Sequence, residues 1–300
     1  MASPNAWLAA ARLRTLPLSI SGILVGSSLA APHFFYRSTI FWLAILTTIG
    51  FQVLSNFAND YGDGIKGTDT QREGEQRMVA AGIISAAQMK RGMIAIGIVT
   101  LTIALLLIYE AFGDQWGYAL LFFGLGIASI IAAVTYTVGR NAYGYKALGD
   151  VFVFLFFGML SVLGSYFLFI KQFVLLMILP ACSIGFLSMA VLNLNNMRDR
   201  VADAAVGKIT LAVKLGAKGA KQYHTVLIID ALAAYLLFVY ETGFGLLRLL
   251  PVLAFLPLFL NVRTVWKNEA PALLDPELKK VALSTFAFAI LIMITTILTA

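Results

Sequence analysis

Charge is what this sequence has least of. Only 12% of its 300 residues are charged, while 60% are hydrophobic. Soluble globular chains carry roughly 25% charged residues, so an ordinary water-soluble fold is excluded. The short alternating segments of a transmembrane barrel are missing too. Cysteine is nearly absent. Cys182 stands alone in an apolar stretch, which excludes a disulfide within the chain and reads as a small packing residue. The opening MASPNAWLAAARLRTLPLSI has no compelling small-residue cleavage site, and its apolar part outruns a short signal core. It reads as an amphipathic entry into a first span.

What the chain does have is a recurring apolar run of about 20 residues, the length that crosses a bilayer as a helix. The pattern predicts an all-α polytopic membrane protein, with residues 1–300 as a single integral domain. Nine helices are expected at about 15–32, 38–58, 92–109, 116–138, 150–170, 173–191, 222–240, 245–261 and 281–299. Segments 59–91 and 192–221 are long and polar, and 139–149 and 262–280 are so more modestly.

Cations set the orientation. With nine spans, nineteen of the 22 Lys and Arg fall on the side of the N-terminus, leaving Arg37, Lys171 and Arg248 opposite. Positive loops stay cytoplasmic, so the N-terminus and all four polar loops are expected there. The net charge of +7 then reflects topology, and no nucleic-acid partner is expected. Lys214, Lys218 and Lys221 read as a helix face over anionic lipid headgroups. Lys279 is expected in a surface loop.

Two polar runs break the apolar background: Asn56-Phe57-Ala58-Asn59-Asp60-Tyr61-Gly62-Asp63, and Asn195-Asn196-Met197-Arg198-Asp199-Arg200-Val201-Ala202-Asp203. Residues four apart share a helix face. Asn195, Asp199 and Asp203 form one stripe; Asn56 with Asp60, and Asn59 with Asp63, form others. Carboxylates are expensive at a membrane unless something positive lies between them. Hard divalent cations take oxygen ligands, and magnesium in particular is shared with substrate phosphates. Two facing stripes could hold such ions with a diphosphate between them. Lys66, Arg72 and Arg77 follow the first stripe and Arg198 is inside the second; guanidinium forks match phosphate oxygens. Gly62, Gly64, Gly67 and Gly74 allow close approach of the loop to a ligand. Asp69, Glu73 and Glu75 read equally well as solvated loop acids, and no role follows for Asp230.

These residues resemble a known family. Asn59-Asp60-Tyr61-Gly62-Asp63 and Asp199-Arg200-Val201-Ala202-Asp203 resemble the two aspartate-rich motifs of the UbiA superfamily of intramembrane aromatic prenyltransferases, and the resemblance spans nearly the whole chain. Within it, Ala11-Arg12-Leu13-Arg14-Thr15-Leu16-Pro17, Lys66-Gly67-Thr68-Asp69, Gln76-Arg77-Met78-Val79 and Asn195-Asn196-Met197-Arg198-Asp199 are similar to the 1,4-dihydroxy-2-naphthoate branch. The resemblance implies Mg2+ held by Asn59, Asp60, Asp63, Asn195, Asp199 and Asp203, and a polyprenyl diphosphate neutralised by Lys66, Arg72, Arg77 and Arg198. Ionisation would give an allylic cation for the naphthoate ring to attack, and loss of the carboxylate and a proton would restore the ring. The residues implied in the chemistry are Asp60, Asp63, Asp199, Asp203 and Lys146. Tyr136, Tyr143 and Tyr145 would position the aromatic acceptor, with Lys146 pairing with the naphthoate carboxylate or the diphosphate. Asp150 stands where the family often has Glu. The family's third acid usually comes four residues after the second; that position here is Gly67, and the acid comes at Asp69. A bacterial plasma membrane and lipid as surroundings are implied as well.

Other readings remain open. Tyr143 and Tyr145 have an interfacial aromatic belt as their alternative reading. A secondary transporter also carries intramembrane acids and glycine-broken helices, although its acids usually sit near mid-span. Within the superfamily, 4-hydroxybenzoate and haem-precursor prenyltransferases are the rivals.

Overall fold

The computed structural model describes residues 2–67, 77–139 and 142–300. Among them there is no strand, and nine helical segments are long and apolar enough to cross a membrane. The protein is a multi-pass helical membrane protein. In chain order the helices are α1 Pro4–Ala11, α2 Leu16–Ala30, α3 Thr39–Lys66, α4 Ala86–Phe112, α5 Trp116–Thr135, α6 Gly149–Val153, α7 Ser161–Ile170, α8 Ile178–Ala205, α9 Leu211–Glu241, α10 Phe255–Lys267 and α11 Asp275–Thr299.

Three departures from the sequence-based boundaries matter. The helices carrying the two polar runs do not stop at residues 58 and 191. They continue to Lys66 and Ala205, so both motifs are helical throughout. Intrahelical bonds satisfy the backbone, and Gly67, at φ +68°, ends α3 in the left-handed conformation that glycine adopts without steric cost. α9 and α11 likewise begin some residues before 222 and 281. The first span is broken. α1 ends at Ala11, Arg12 takes a left-handed backbone (φ +50°, ψ +57°), and one 3-10 turn over Leu13–Thr15 leads into α2. Such a backbone costs of order 1–3 kcal/mol and persists only where its surroundings impose it. Here Asn56 of α3 imposes it: its amide donates to the orphaned carbonyl of Ala11 at 2.8 Å and to Thr15 Oγ1 at 3.3 Å.

Lipid tails offer helices little hydrophobic reward for associating, so close packing and hydrogen bonds decide. α2 lies against α7 through small residues four apart on both sides, Gly22 and Gly26 facing Ser161 and Ser165. A Cβ at Gly26 would come within 2.2 Å of the Val162 carbonyl oxygen, so the contact requires glycine. α8 packs along α9, and α3 along α4. A buried polar chain joins α9, α10 and α11: His224 Nε2 meets Asn261 Oδ1 at 2.7 Å, and Asn261 Nδ2 donates to Glu277 Oε2 at 2.7 Å. One apolar core binds α8 to α11, with residues such as Leu187, Ile228, Phe255 and Phe288. Smaller cores lie around Trp7, Phe57 and Met89 and around Phe35, Phe41 and Phe112. Between them lies a cavity.

Candidate active site

The cavity has a volume of about 520 Å³ and runs from the polar end of α3 and α8 into the bilayer region. Its deep part is apolar, lined by Ile23, Ala44, Leu107, Phe122, Phe157 and Leu168. Along α3 it extends from Asp63 to Ala44, about 28 Å of helix at a rise of 1.5 Å per residue. The segment Phe154–Leu160 is a π-helical insertion in the span that contains α7, and Phe156, Phe157 and Leu160 of it face the cavity. π-bulges are frequent at functional sites.

The polar end brings the two motifs to one chamber. Asn59, Asp63 and Arg77 line it from the α3 side, and Asn195 and Lys208 from the α8 side. Asp63 is buried. Its Oδ1 accepts a hydrogen bond from Tyr145 Oη at 2.7 Å, and its Oδ2 lies 3.4 Å from Nη2 of the equally buried Arg77. Asn59 Oδ1 receives the Thr137 hydroxyl at 3.3 Å. Lys208 is buried, 3.3 Å from Asp203 Oδ1, with its ammonium 5.5 Å from the Tyr145 ring centre. Tyr136 and Tyr143 are on the wall, edge to face at 5.3 Å, and Phe152 stacks on Tyr143 at 3.9 Å. Burial pushes the Tyr136 phenol well above its usual pKa, with help from nearby Tyr143 and Asp150; burial alone does the same for Tyr143. Both phenols stay neutral. The Tyr143 hydroxyl donates a hydrogen bond to the Ala132 carbonyl at 2.8 Å.

Other predicted site residues are placed elsewhere. Asp60, three residues before Asp63, is turned off the wall. Its two oxygens accept the backbone N–H groups of Met78 (3.0 Å) and Val79 (2.9 Å), so it fastens the strand of chain that presents Arg77. Arg198 does not face the chamber. Its guanidinium is consumed by Asp199, which it grips with Nε at 2.8 Å and Nη2 at 2.9 Å, by Asn195 Oδ1 at 2.9 Å and by Asp275 Oδ1 at 2.5 Å. Asp199 and Asp203 stand behind the wall on Arg198 and Lys208. Lys66 is exposed at the end of α3; its ammonium donates to the Thr137 carbonyl at 2.7 Å and lies 4.0 Å from the Tyr145 ring centre. Tyr145 spends its hydroxyl on Asp63 rather than on the wall. Lys146 is exposed, in a backbone bridge to Ile209, and does not reach the cavity. Arg72 and Asp69 lie outside the described residues.

Several wall residues carried no site signal in the sequence. Arg12 and Arg14 count there as topology charges and as part of the branch-like opening, not as site residues, yet the break after α1 brings both to the cavity. Lys208 is returned toward Asp203 by the turn at Gly207, φ +72°; a glycine one residue before a lysine was the available clue. Asp275 and Lys279, at the start of α11, also line the cavity, so Lys279 is not a remote loop residue. Gln52 accepts from Ser19 at 2.7 Å on the same wall.

The oxygen donors fit a hard divalent cation. Asn59, Asp63 and Asn195, which carry amide and carboxylate oxygens, line one chamber, with Asp199 and Asp203 behind on Arg198 and Lys208. That pattern suits magnesium, which is usually held by one or two carboxylates and completed by water and phosphate oxygens. A basic, metal-compatible chamber at the mouth of an apolar shaft can hold the charged head of an amphiphile and exclude water from its tail.

Comparison with known proteins agrees. Residues 19–274 match the UbiA prenyltransferase family. A 1,4-dihydroxy-2-naphthoate octaprenyltransferase of Haemophilus influenzae is 42% identical, covering 95% of this chain and 93% of the relative. The enzyme of the same name from Escherichia coli is 39% identical over 92% of this chain and 90% of the relative. A UbiA homologue from Archaeoglobus fulgidus, solved bound to GPP and Mg2+, shares the fold with a TM-score of 0.65 at 14% identity, covering 96% of this chain and 99% of that one. On the helical architecture, the paired motifs and these relatives, the chain belongs to the UbiA prenyltransferase family.

Proposed function

We propose that the protein transfers a polyprenyl group from a polyprenyl diphosphate to 1,4-dihydroxy-2-naphthoate, releasing diphosphate and CO2 and giving a demethylmenaquinol. One structural observation supports this above others: a polar chamber with oxygen donors from both motifs and buried cations opens onto a long apolar shaft. The charged head and the chain of a prenyl diphosphate have the same division. The two naphthoate-specific relatives, aligned over nearly all of the chain, favour that acceptor.

The residues divide the work. Arg77 and Lys208 bring positive charge to the chamber, where a leaving diphosphate gathers negative charge; fixed charges in a dry site stabilise it without reorganisation. Asn59, Asp63 and Asn195, with Asp199 and Asp203 behind them, would hold Mg2+, which when bound would add neutralisation of the leaving group. As the allylic C–O bond breaks, the stacked aromatic rings of Tyr143, Phe152 and Phe156 on the wall supply π density beside the carbocation. The naphthoate ring then forms the C–C bond, and the carboxylate leaves as CO2. The apolar shaft keeps water from the cation. Asp60 and Arg198 are positioning residues in this scheme. The protein is placed in a bacterial plasma membrane with its N-terminus and chamber cytoplasmic, as the distribution of cations supports.

The test incubates purified protein with a polyprenyl diphosphate, Mg2+ and either dihydroxynaphthoate or 4-hydroxybenzoate, with mass detection. A prenylated, decarboxylated naphthoquinol is expected. Product from hydroxybenzoate alone would move the acceptor; no product with either would overturn the proposal.

A further inference from the structure

Asp275 opens α11, and neither the motifs nor the proposed chemistry give it a part. An acid in the first turn of a helix is ordinarily explained by the helix dipole, and Glu277 shares that turn. The two acids nevertheless point to different partners. Glu277 turns inward, to Asn261 at 2.7 Å and to Lys280 at 2.6 Å. Asp275 turns to the cavity, where its Oδ1 is 2.5 Å from Nη1 of Arg198 and its Oδ2 is 3.9 Å from Nη1 of Arg14. The Arg198 side chain is only 2% exposed, so its charge depends on protein partners. The buried chain from His224 through Asn261 to Glu277, and the proline after Asp275, fix the place where this carboxylate stands.

We propose that Asp275 is a positioning residue of the active site: it is the second carboxylate on Arg198, so that Asp199 is not that guanidinium's sole counter-ion and remains available to the cation-binding wall. The charges support this. Arg198 grips both oxygens of Asp199 and orients the Asn195 oxygen. Without Asp275, Arg198 would keep one carboxylate, that of Asp199, beside the Asn195 amide oxygen. A buried cation left short of a partner is strongly unfavourable, so Arg198 would bind Asp199 harder and compete with any cation for it. Asp275 thus couples the first helix break, the second motif and the start of the last helix.

The inference rests on the reading of the chamber as a metal–diphosphate site. The test measures Mn2+ uptake, with inorganic diphosphate present, by the full chain in detergent, read from the electron paramagnetic resonance of free Mn2+. Asp275→Asn, which keeps shape and loses charge, should weaken Mn2+ binding by about 10–100-fold, the usual cost of losing a group that orients a ligand. The variant should still fold, with a melting temperature lowered by the loss of one carboxylate from Arg198, and Asp275→Glu should restore binding. Folded Asp275→Asn that takes up Mn2+ normally would overturn the proposal, as would equal losses in both variants. Should Asp275→Asn not fold, Asp275→Glu decides: retained uptake supports the proposal and loss overturns it. Failure of the unsubstituted protein to take up Mn2+ would overturn the reading of the whole chamber, and this inference with it.

Discussion

The polar ends of α3 and α8 use the same four-residue step and neutralise their acids in different ways. On α3, backbone and loop do most of the work: Asp60 is capped by the N–H groups of Met78 and Val79, and Asp63 by the Tyr145 hydroxyl and Arg77. On α8, side-chain cations do it, Arg198 for Asp199 and Lys208 for Asp203. The α3 end therefore carries a carboxylate at the chamber surface, while the α8 end keeps its carboxylates one layer back and shows Asn195 instead. Similar spacing in sequence has produced a wall of direct contacts on one side and an electrostatically buffered support on the other.

Substitutions can break this contrast, and their effects should rank by distance from the chamber. Asp63→Asn should be the most damaging, lowering turnover on the order of 10³-fold, as product formation by mass detection would report. Lys208→Met should follow, with about 10–100-fold lost and a raised KM for the prenyl diphosphate. Asp60→Asn should act mainly on stability. It leaves one of two buried N–H groups without its acceptor, a cost of about 1–3 kcal/mol, visible as a lower melting temperature and as a smaller loss of turnover than Asp63→Asn. Lys146→Ala should do least. An exposed side chain away from the cavity is worth within about 0.5 kcal/mol, so turnover should stay close to that of the unsubstituted protein.

The nine spans and the common side of the two motifs were legible because hydropathy and charge act residue by residue. Which stripe faces inward was not. Asn56 with Asp60 and Asn59 with Asp63 are neighbouring stripes of one helix, and a three-residue offset turns a side chain by only about 60°. Only the surrounding helices determine that Asp60 caps Met78 and Val79 while Asn59 and Asp63 meet the chamber, with Asn56 both on the cavity wall and capping the break at Ala11. Arg12, Arg14, Lys208 and Asp275 were hidden for a related reason: each arrives through a backbone turn or a helix start whose direction is tertiary. Arg198 shows the reverse case. Its place inside the motif suggested phosphate binding, but two carboxylates and an amide already occupy it.

The most direct test of the account is the magnesium dependence of turnover for Asp60→Asn and Asp63→Asn, measured side by side in folded protein. Asp63→Asn should lose turnover at every magnesium concentration. Asp60→Asn should keep measurable turnover with a magnesium requirement near that of the unsubstituted protein. Equal loss in the two variants, or a raised magnesium requirement in Asp60→Asn alone, would contradict the assignment of Asp63 to the chamber and Asp60 to its support.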